Sequence, residues 1–361
     1  MGQVYRKQRN YGCRIHDQYT YFGMRTVVLE NDQVRVSILP DKGTEVYEFL
    51  YKPRDLDYMW LSENGVQPPN AYLPTSPDPI STFIDYYPGG WQEVFPNGGP
   101  TSTYKGATFG QHGEVAHMPW DHDIVEDTPE RIAVRFSVRT KKMPYRLTKT
   151  MSLTLGSASL QLEEELVNES EVELEYMWGQ HLAFGRPFVE PGCTVRMPEG
   201  VRVIAETADV SDADAGRVRR EPREFAWPYG AAVPSTDSAA VGGDGSGRID
   251  LSVLPPAGTA SEIVYLTGFG PTGQYELENR RLSAGIRVEW DAEALPYLWY
   301  WQEFGATKGY PWFGRHYNIG LEPFCGYPTH GLAEAVRNGS AGRIGPRETR
   351  IFSLAVTPFT L

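Results

Sequence analysis

The chain has 361 residues, 40% hydrophobic and 12% aromatic, enough to bury a sizeable core, and its 21 Tyr and 9 Trp exceed what a core alone uses. Its 46 acidic against 34 basic residues give a formal net charge of −12, which argues against nucleic acid or an anionic membrane as partner and leaves neutral or cationic ligands. Cys13, Cys193 and Cys325 lie far apart without CxxC spacing, and there is no apolar leader or long apolar run, so disulfides, a cysteine zinc site, export and membrane insertion are not expected and a cytoplasmic protein is.

In chain order, a hairpin is predicted at 26–39. Two β-rich runs, Thr26-Val-Val-Leu-Glu30 and Val34-Arg-Val-Ser-Ile-Leu39, flank Asn31-Asp32-Gln33, and Pro40 to Gly43 ends the second strand. Residues 63–110 are dense in Pro, Gly, Asn, Ser and Tyr without periodicity, and read as loops, short strands and turns. Within them, 85–99 is richest in side chains that stack on or hydrogen-bond to a small polar ligand; a rigid structural turn would use the same residues.

From Arg131 the pattern becomes regular. Ile132, Val134, Phe136 and Val138 alternate with small or polar residues, 147–155 follows likewise, and Leu160, Leu162 and Leu166 oppose Gln161, Glu163 and Glu165. Val172, Leu174 and Tyr176 lead into Trp178. This is an antiparallel meander with one wet face, and His181 is expected where its last strand runs out. Residues 205–249, poor in large apolar side chains, read as a surface excursion. Strands resume at 249–254, 262–267, 287–290 and 297–302, only 331–337 looks helical, and 349–356 is a closing strand. No fixed repeat, Rossmann glycine loop, P-loop or HExxH helix is present. The chain reads as all-β and as one domain over 1–361, with nothing to indicate its oligomeric state.

Three polar foci stand out beside glycines and aromatics: Gly110-Gln-His-Gly-Glu-Val-Ala-His117, Trp178-Gly-Gln-His181 and Gly320-Leu-Glu-Pro323. Histidine gives and takes a proton near neutrality, so His181 is a candidate acid; a lone His among Trp, Gln and Phe is as readily a hydrogen-bonded core residue. His112 and His117 are five apart in a glycine-containing loop with no third ligand nearby, which is poor metal-site spacing.

The order and surroundings of these foci resemble the aldose 1-epimerase (galactose mutarotase) family. In that family a His-Gly pair follows a glycine-rich loop, a meander leads to a second histidine before an aromatic, and a Leu-Glu-Pro-like segment near the C-terminus supplies a carboxylate. Here these are His112-Gly113, His181 with Phe184, and Leu321-Glu322-Pro323. The resemblance runs from Val34 to the final strand. It implies a galactose mutarotase-like β-supersandwich, a large twisted two-sheet antiparallel fold, acting on a small carbohydrate without cofactor or metal. It also implies roles: Glu322 as the base that takes the C1 hydroxyl proton, His181 as the acid that protonates the ring oxygen, and His112 as a substrate-binding donor.

The sequence departs from the family pattern in two places. The family's Asn-Arg-Ile segment is replaced by Gln92-Glu-Val-Phe-Pro-Asn97, and its substrate-binding aspartate has no counterpart after residue 205. The candidate substrate contacts are therefore His112, Gln92 and Arg315, with Trp91, Trp301 and Trp312 as stacking platforms, against the alternative that each tryptophan is core. A non-catalytic carbohydrate-binding or sensing protein on the same fold is the competing reading. It would use the aromatics but need no His and Glu pair.

Overall fold

Two antiparallel sheets face one another in the structure, a computed structural model that describes residues 9–69, 79–208, 216–221, 223–233 and 247–361. The predicted hairpin forms, Met24–Glu30 pairing with Val34–Leu39. Asn31 fixes its turn: the side-chain oxygen accepts the backbone N–H groups of Gln33 and Val34, each at 2.8 Å. The same amide donates to the carbonyls of Thr154 at 2.8 Å and Ser157 at 2.7 Å, which ties the hairpin to the opposite sheet.

Among the described residues the larger sheet has twelve strands. They run in the order Arg14–Tyr21, Met24–Glu30, Val34–Leu39, Glu45–Tyr51, Trp91–Val94, Trp178–Phe184, Asn318–Cys325, Tyr297–Glu303, Glu262–Thr267, Arg202–Ala205 and Glu224–Ala226, with Leu56–Asp57 attached to Glu45–Tyr51. The smaller has eight, in the order Thr194–Arg196, Thr272–Asn279, Ala284–Asp291, Thr349–Thr360, Leu160–Asn168, Tyr145–Thr154, Arg131–Arg139 and Asp121–Asp127. The core lies between them. Ile132, Val134, Phe136, Leu160, Leu162 and Leu166 all point into it, as their alternation predicts, and each such side chain contributes roughly 1.5–3 kcal/mol when fully buried.

Glu164 shares the inward parity of those leucines and is buried with them. It sits in a polar network between the sheets. Lys149 Nζ lies 2.7 Å from Glu93 and 3.7 Å from Glu164, and Gln180 donates to Glu93 at 2.9 Å and to Glu164 at 3.2 Å. With one cation for two carboxylates, burial and the charge of Glu93 hold the Glu164 carboxyl well above the usual carboxylate range.

Four expectations are corrected. Residues 79–86, read as loop, form the helix Pro79–Tyr86. The meander ends at Leu160–Asn168, after which the chain crosses over, so the strand that carries His181 belongs to the other sheet. That strand, Trp178–Phe184, is buried along its whole length, so His181 sits at its middle and not at a wet strand end. Finally, part of the supposed surface excursion is internal. Arg217 is buried, and the backbone N–H groups of Arg217 and Val218 donate to Glu262 at 2.6 Å each; much of 205–249 lies outside the described residues. The short helix expected at 331–337 is present as Leu332–Asn338.

Candidate active site

The centre of the large sheet builds the site. Trp178–Phe184 lies between Trp91–Val94 and Asn318–Cys325, and the register pairs Gly179 with Phe324 and Ala183 with Gly320, so His181 falls opposite Glu322. Strand alternation turns Trp178 and Gln180 toward the second sheet and His181 away from it. The His181 ring therefore enters a cavity of about 430 Å³ on the outer face, together with Glu322, Trp299 and Trp301.

His181 Nε2 lies 3.6 Å from Glu322 Oε1. Both residues are buried, at 5% and 2% exposure. Burial pushes the imidazole down to about 4 and the carboxyl well above its ordinary value. Each is thus driven toward its uncharged form, and a neutral histidine beside a protonated acid holds one transferable proton between them, as an imidazolium beside a carboxylate would. The carboxylate has its room because residue 320 is glycine: a Cβ there would run into Glu322 Oε1 and crowd the Trp301 ring at 3.3 Å.

His112 is held by backbone. Its φ is +57°, its N–H donates to Gly99 O at 2.9 Å, and Gly99 N–H donates to its Nδ1 at 3.2 Å. With Nδ1 accepting, a neutral His112 carries its ring proton on Nε2 and is a donor there. Burial, then the neighbouring His181 and His117, keep its pKa well below 6.5. The two rings stand 5.4 Å apart.

The sequence candidates divide. His181, Glu322, His112, Trp301 and Trp312 come together around the cavity. Trp91 does not: strand parity points it between the sheets, where Nε1 donates to Gln180 at 2.7 Å. Gln92 is opposite His181 in the ladder but its amide turns back onto the Gly89 carbonyl. Arg315 is on the rim outside, 3.4 Å from Glu63 and 3.1 Å from Asn64. Among the described lining residues there is no Arg or Lys. His117 is half-buried and does not line the cavity, and among the described residues no group of three or more His, Cys, Asp or Glu is arranged to hold a metal.

Two parts of the wall were not among the named candidates, although Tyr87 lies in the stretch 85–99 singled out for ligand contact. Phe83 and Tyr87, on and just after the helix Pro79–Tyr86, pack together at 5.2 Å, and Phe83 stands edge-on to His112 at 4.6 Å. Pro79 as a first helical residue and the spacing of Ile80, Phe83, Ile84 and Tyr87 were the available signals. Glu206 and His330 form a second polar pole, with His330 Nε2 at 2.9 Å from Glu206 and the Tyr265 hydroxyl donating to the same carboxylate. Burial raises Glu206, but these partners and the Ala208 N–H outweigh it and hold it at about 2, while Glu206 raises His330.

In fold the chain is similar to a Klebsiella pneumoniae protein proposed to be an aldose 1-epimerase, at 15% identity and a TM-score of 0.72 over 96% of this chain and 83% of that one. It is likewise similar to a galactose mutarotase-like protein from Clostridium acetobutylicum (14%, 0.62, 97% and 99%) and to a galactose mutarotase related enzyme from Lactobacillus acidophilus (15%, 0.56, 93% and 97%). Identities this low speak for architecture alone, and the architecture is the all-β galactose mutarotase-like supersandwich. By sequence the chain belongs to the DUF4432 family, described as a domain of unknown function, whose model matches residues 22–225. That span includes His112 and His181 and stops short of Glu322. No curated protein matches the sequence. No helix among the described residues is long and apolar enough to cross a membrane.

Proposed function

We propose that this protein is an isomerase of the aldose 1-epimerase type, which interconverts the α and β anomers of a free sugar or sugar derivative. Opening a hemiacetal ring takes a proton from the C1 hydroxyl and gives one to the ring oxygen; rotation about C1–C2 and the reverse transfers close the other anomer. Glu322 takes the first proton, His181 delivers the second, and His112 donates from Nε2 to the oxygen that gains charge.

The observation that carries this reading is the 3.6 Å approach of His181 Nε2 to Glu322 Oε1 inside an aromatic cavity. Among the described residues no donor is placed to offset the burial of the Glu322 carboxyl, and desolvation is what raises its pKa. A bound sugar brings hydroxyl donors, which favour the ionised carboxylate, so its proton moves to His181 and the acid and base are made together. Trp301, Trp312 and Tyr87 offer faces for the apolar side of the sugar.

A panel of free aldoses screened by NMR anomeric exchange tests the proposal, since it reports binding and turnover at once. Exchange faster than buffer with at least one sugar is expected. Binding without exchange would leave a carbohydrate-binding protein.

A further inference from the structure

We infer that Tyr87 is a positioning residue that fixes the tautomer of His181: its hydroxyl oxygen accepts Nδ1–H, which leaves Nε2 unprotonated and facing Glu322.

Three observations meet here. Tyr87 Oη lies 3.4 Å from His181 Nδ1, the one hydrogen-bond partner of that hydroxyl among the described residues. The Tyr87 ring is fixed by aromatic neighbours, with Phe83 at 5.2 Å, Trp60 at 5.9 Å and Trp312 at 6.2 Å, and stands edge-on to His181 at 5.2 Å. It also borders the cavity, so its O–H has a polar space to donate into while its oxygen accepts. Burial, then Glu322 and Glu45, raises its pKa well above 10, so it stays a phenol and never competes for the shared proton.

The inference rests on the reading of His181 and Glu322 as a pair sharing one proton. A neutral imidazole has one N–H, and the partner of one nitrogen decides the state of the other. Were the proton on Nε2, that nitrogen could only donate to the carbonyl oxygen of a protonated Glu322 and could not receive its proton. With Nδ1–H held by Tyr87, Nε2 receives the Glu322 proton. His112, whose Nδ1 accepts from Gly99, is fixed in the opposite tautomer. One histidine is thereby set as a donor and the other as an exchanger.

The test is ¹⁵N NMR of histidine-labelled protein at neutral pH, without sugar, with the His181 signals assigned by their loss in His181→Asn. The parent should show His181 protonated at Nδ1 and unprotonated at Nε2, and Tyr87→Phe should shift it toward the Nε2–H tautomer. On a sugar that is turned over, the same variant should lower kcat by about tenfold, the worth of one hydrogen bond, with KM little changed. An Nε2–H signal in the parent, or a tautomer unmoved by Tyr87→Phe, overturns the inference. Because the tautomer is read without substrate, failure of the epimerase reading would show separately as absent exchange.

Discussion

His181 and Glu322 face each other across two neighbouring antiparallel strands, with Nε2 and Oε1 3.6 Å apart and neither group open to bulk water. The pairing of their two strands is interrupted beside them, between Gly179/Phe324 and Ala183/Gly320. Two groups that titrate readily in water are thus held where burial disfavours the charge of both, and most of what the site should do follows from that.

The first consequence is for stability. Burial raises Glu322 well above 4.5, so its contribution is fully present below the unfolded value and is lost as pH rises toward the folded one. Glutamine does not titrate. Glu322→Gln should therefore gain Tm over the parent as pH is raised from about 5 to about 8, with the gap closing near pH 4. Thermal melts followed by circular dichroism measure this; a gap that shrinks with rising pH would mean the carboxylate is ionised at rest.

The pH profile of turnover is the second. Burial holds the His181 pKa at about 4, below the 6.5 of an exposed imidazole, so kcat/KM should hold through pH 6.5 and fall only as the pair takes a second proton near 4. For stability the sign is the reverse of Glu322: the buried neutral His181 costs stability as pH falls from 6.5 toward 4, where the unfolded chain binds the extra proton. A midpoint near 6.5 in kcat/KM against pH would show His181 to be solvated.

Gly320 gives the third. A Cβ at that strand position would meet the far end of the Glu322 side chain, which can swing aside, so Gly320→Ala should fold with stability within about 1 kcal/mol of the parent and displace the carboxylate. Turnover should drop by about 10²-fold, because a displacement on the order of 1 Å at a catalytic group is that expensive. Parent-like kcat in a folded Gly320→Ala variant would argue that the position of Glu322 is immaterial.

The tryptophans separate wall from core. Trp301→Ala and Trp312→Ala should stay folded and weaken sugar binding by about 1–3 kcal/mol, the scale of an aromatic anchor. Trp91→Ala should instead destabilise the protein by about 3–5 kcal/mol, since it empties an inter-sheet site and strands Gln180. Urea melts and sugar titrations of the three variants distinguish these outcomes, and a stable Trp91→Ala that loses sugar would return Trp91 to the site.

The strands with one wet face were legible in the sequence, because Ile132, Val134, Phe136 and Val138 carry the period of two in plain view. The strands that build the site were harder. Trp178–Phe184 and Asn318–Cys325 are buried on both faces, so alternation vanishes and their sheet membership cannot be read from a local pattern. Resemblance to a family supplied His112, His181 and Glu322. It could not tell that Trp91 has the parity of Gln180 and not of His181, a matter of register. Tyr87 fell within the stretch 85–99 singled out for ligand contact, but Phe83 was missed because its helix is a short apolar turn inside a Pro- and Gly-rich stretch. Glu206 and His330 are far apart in sequence, and only the tertiary fold brings them together.

The most direct measurement is anomeric exchange by NMR on a sugar that binds, comparing the parent with Glu322→Gln and His181→Asn. The parent should exceed buffer. Each variant should lose roughly 10² or more in rate with sugar affinity nearly unchanged, and the double variant should be little worse than either, because the two residues act as one unit. A parent that binds sugar without accelerating exchange, or single variants that keep the parent rate, would contradict the assignment of the His181 and Glu322 pair as the proton-transfer machinery.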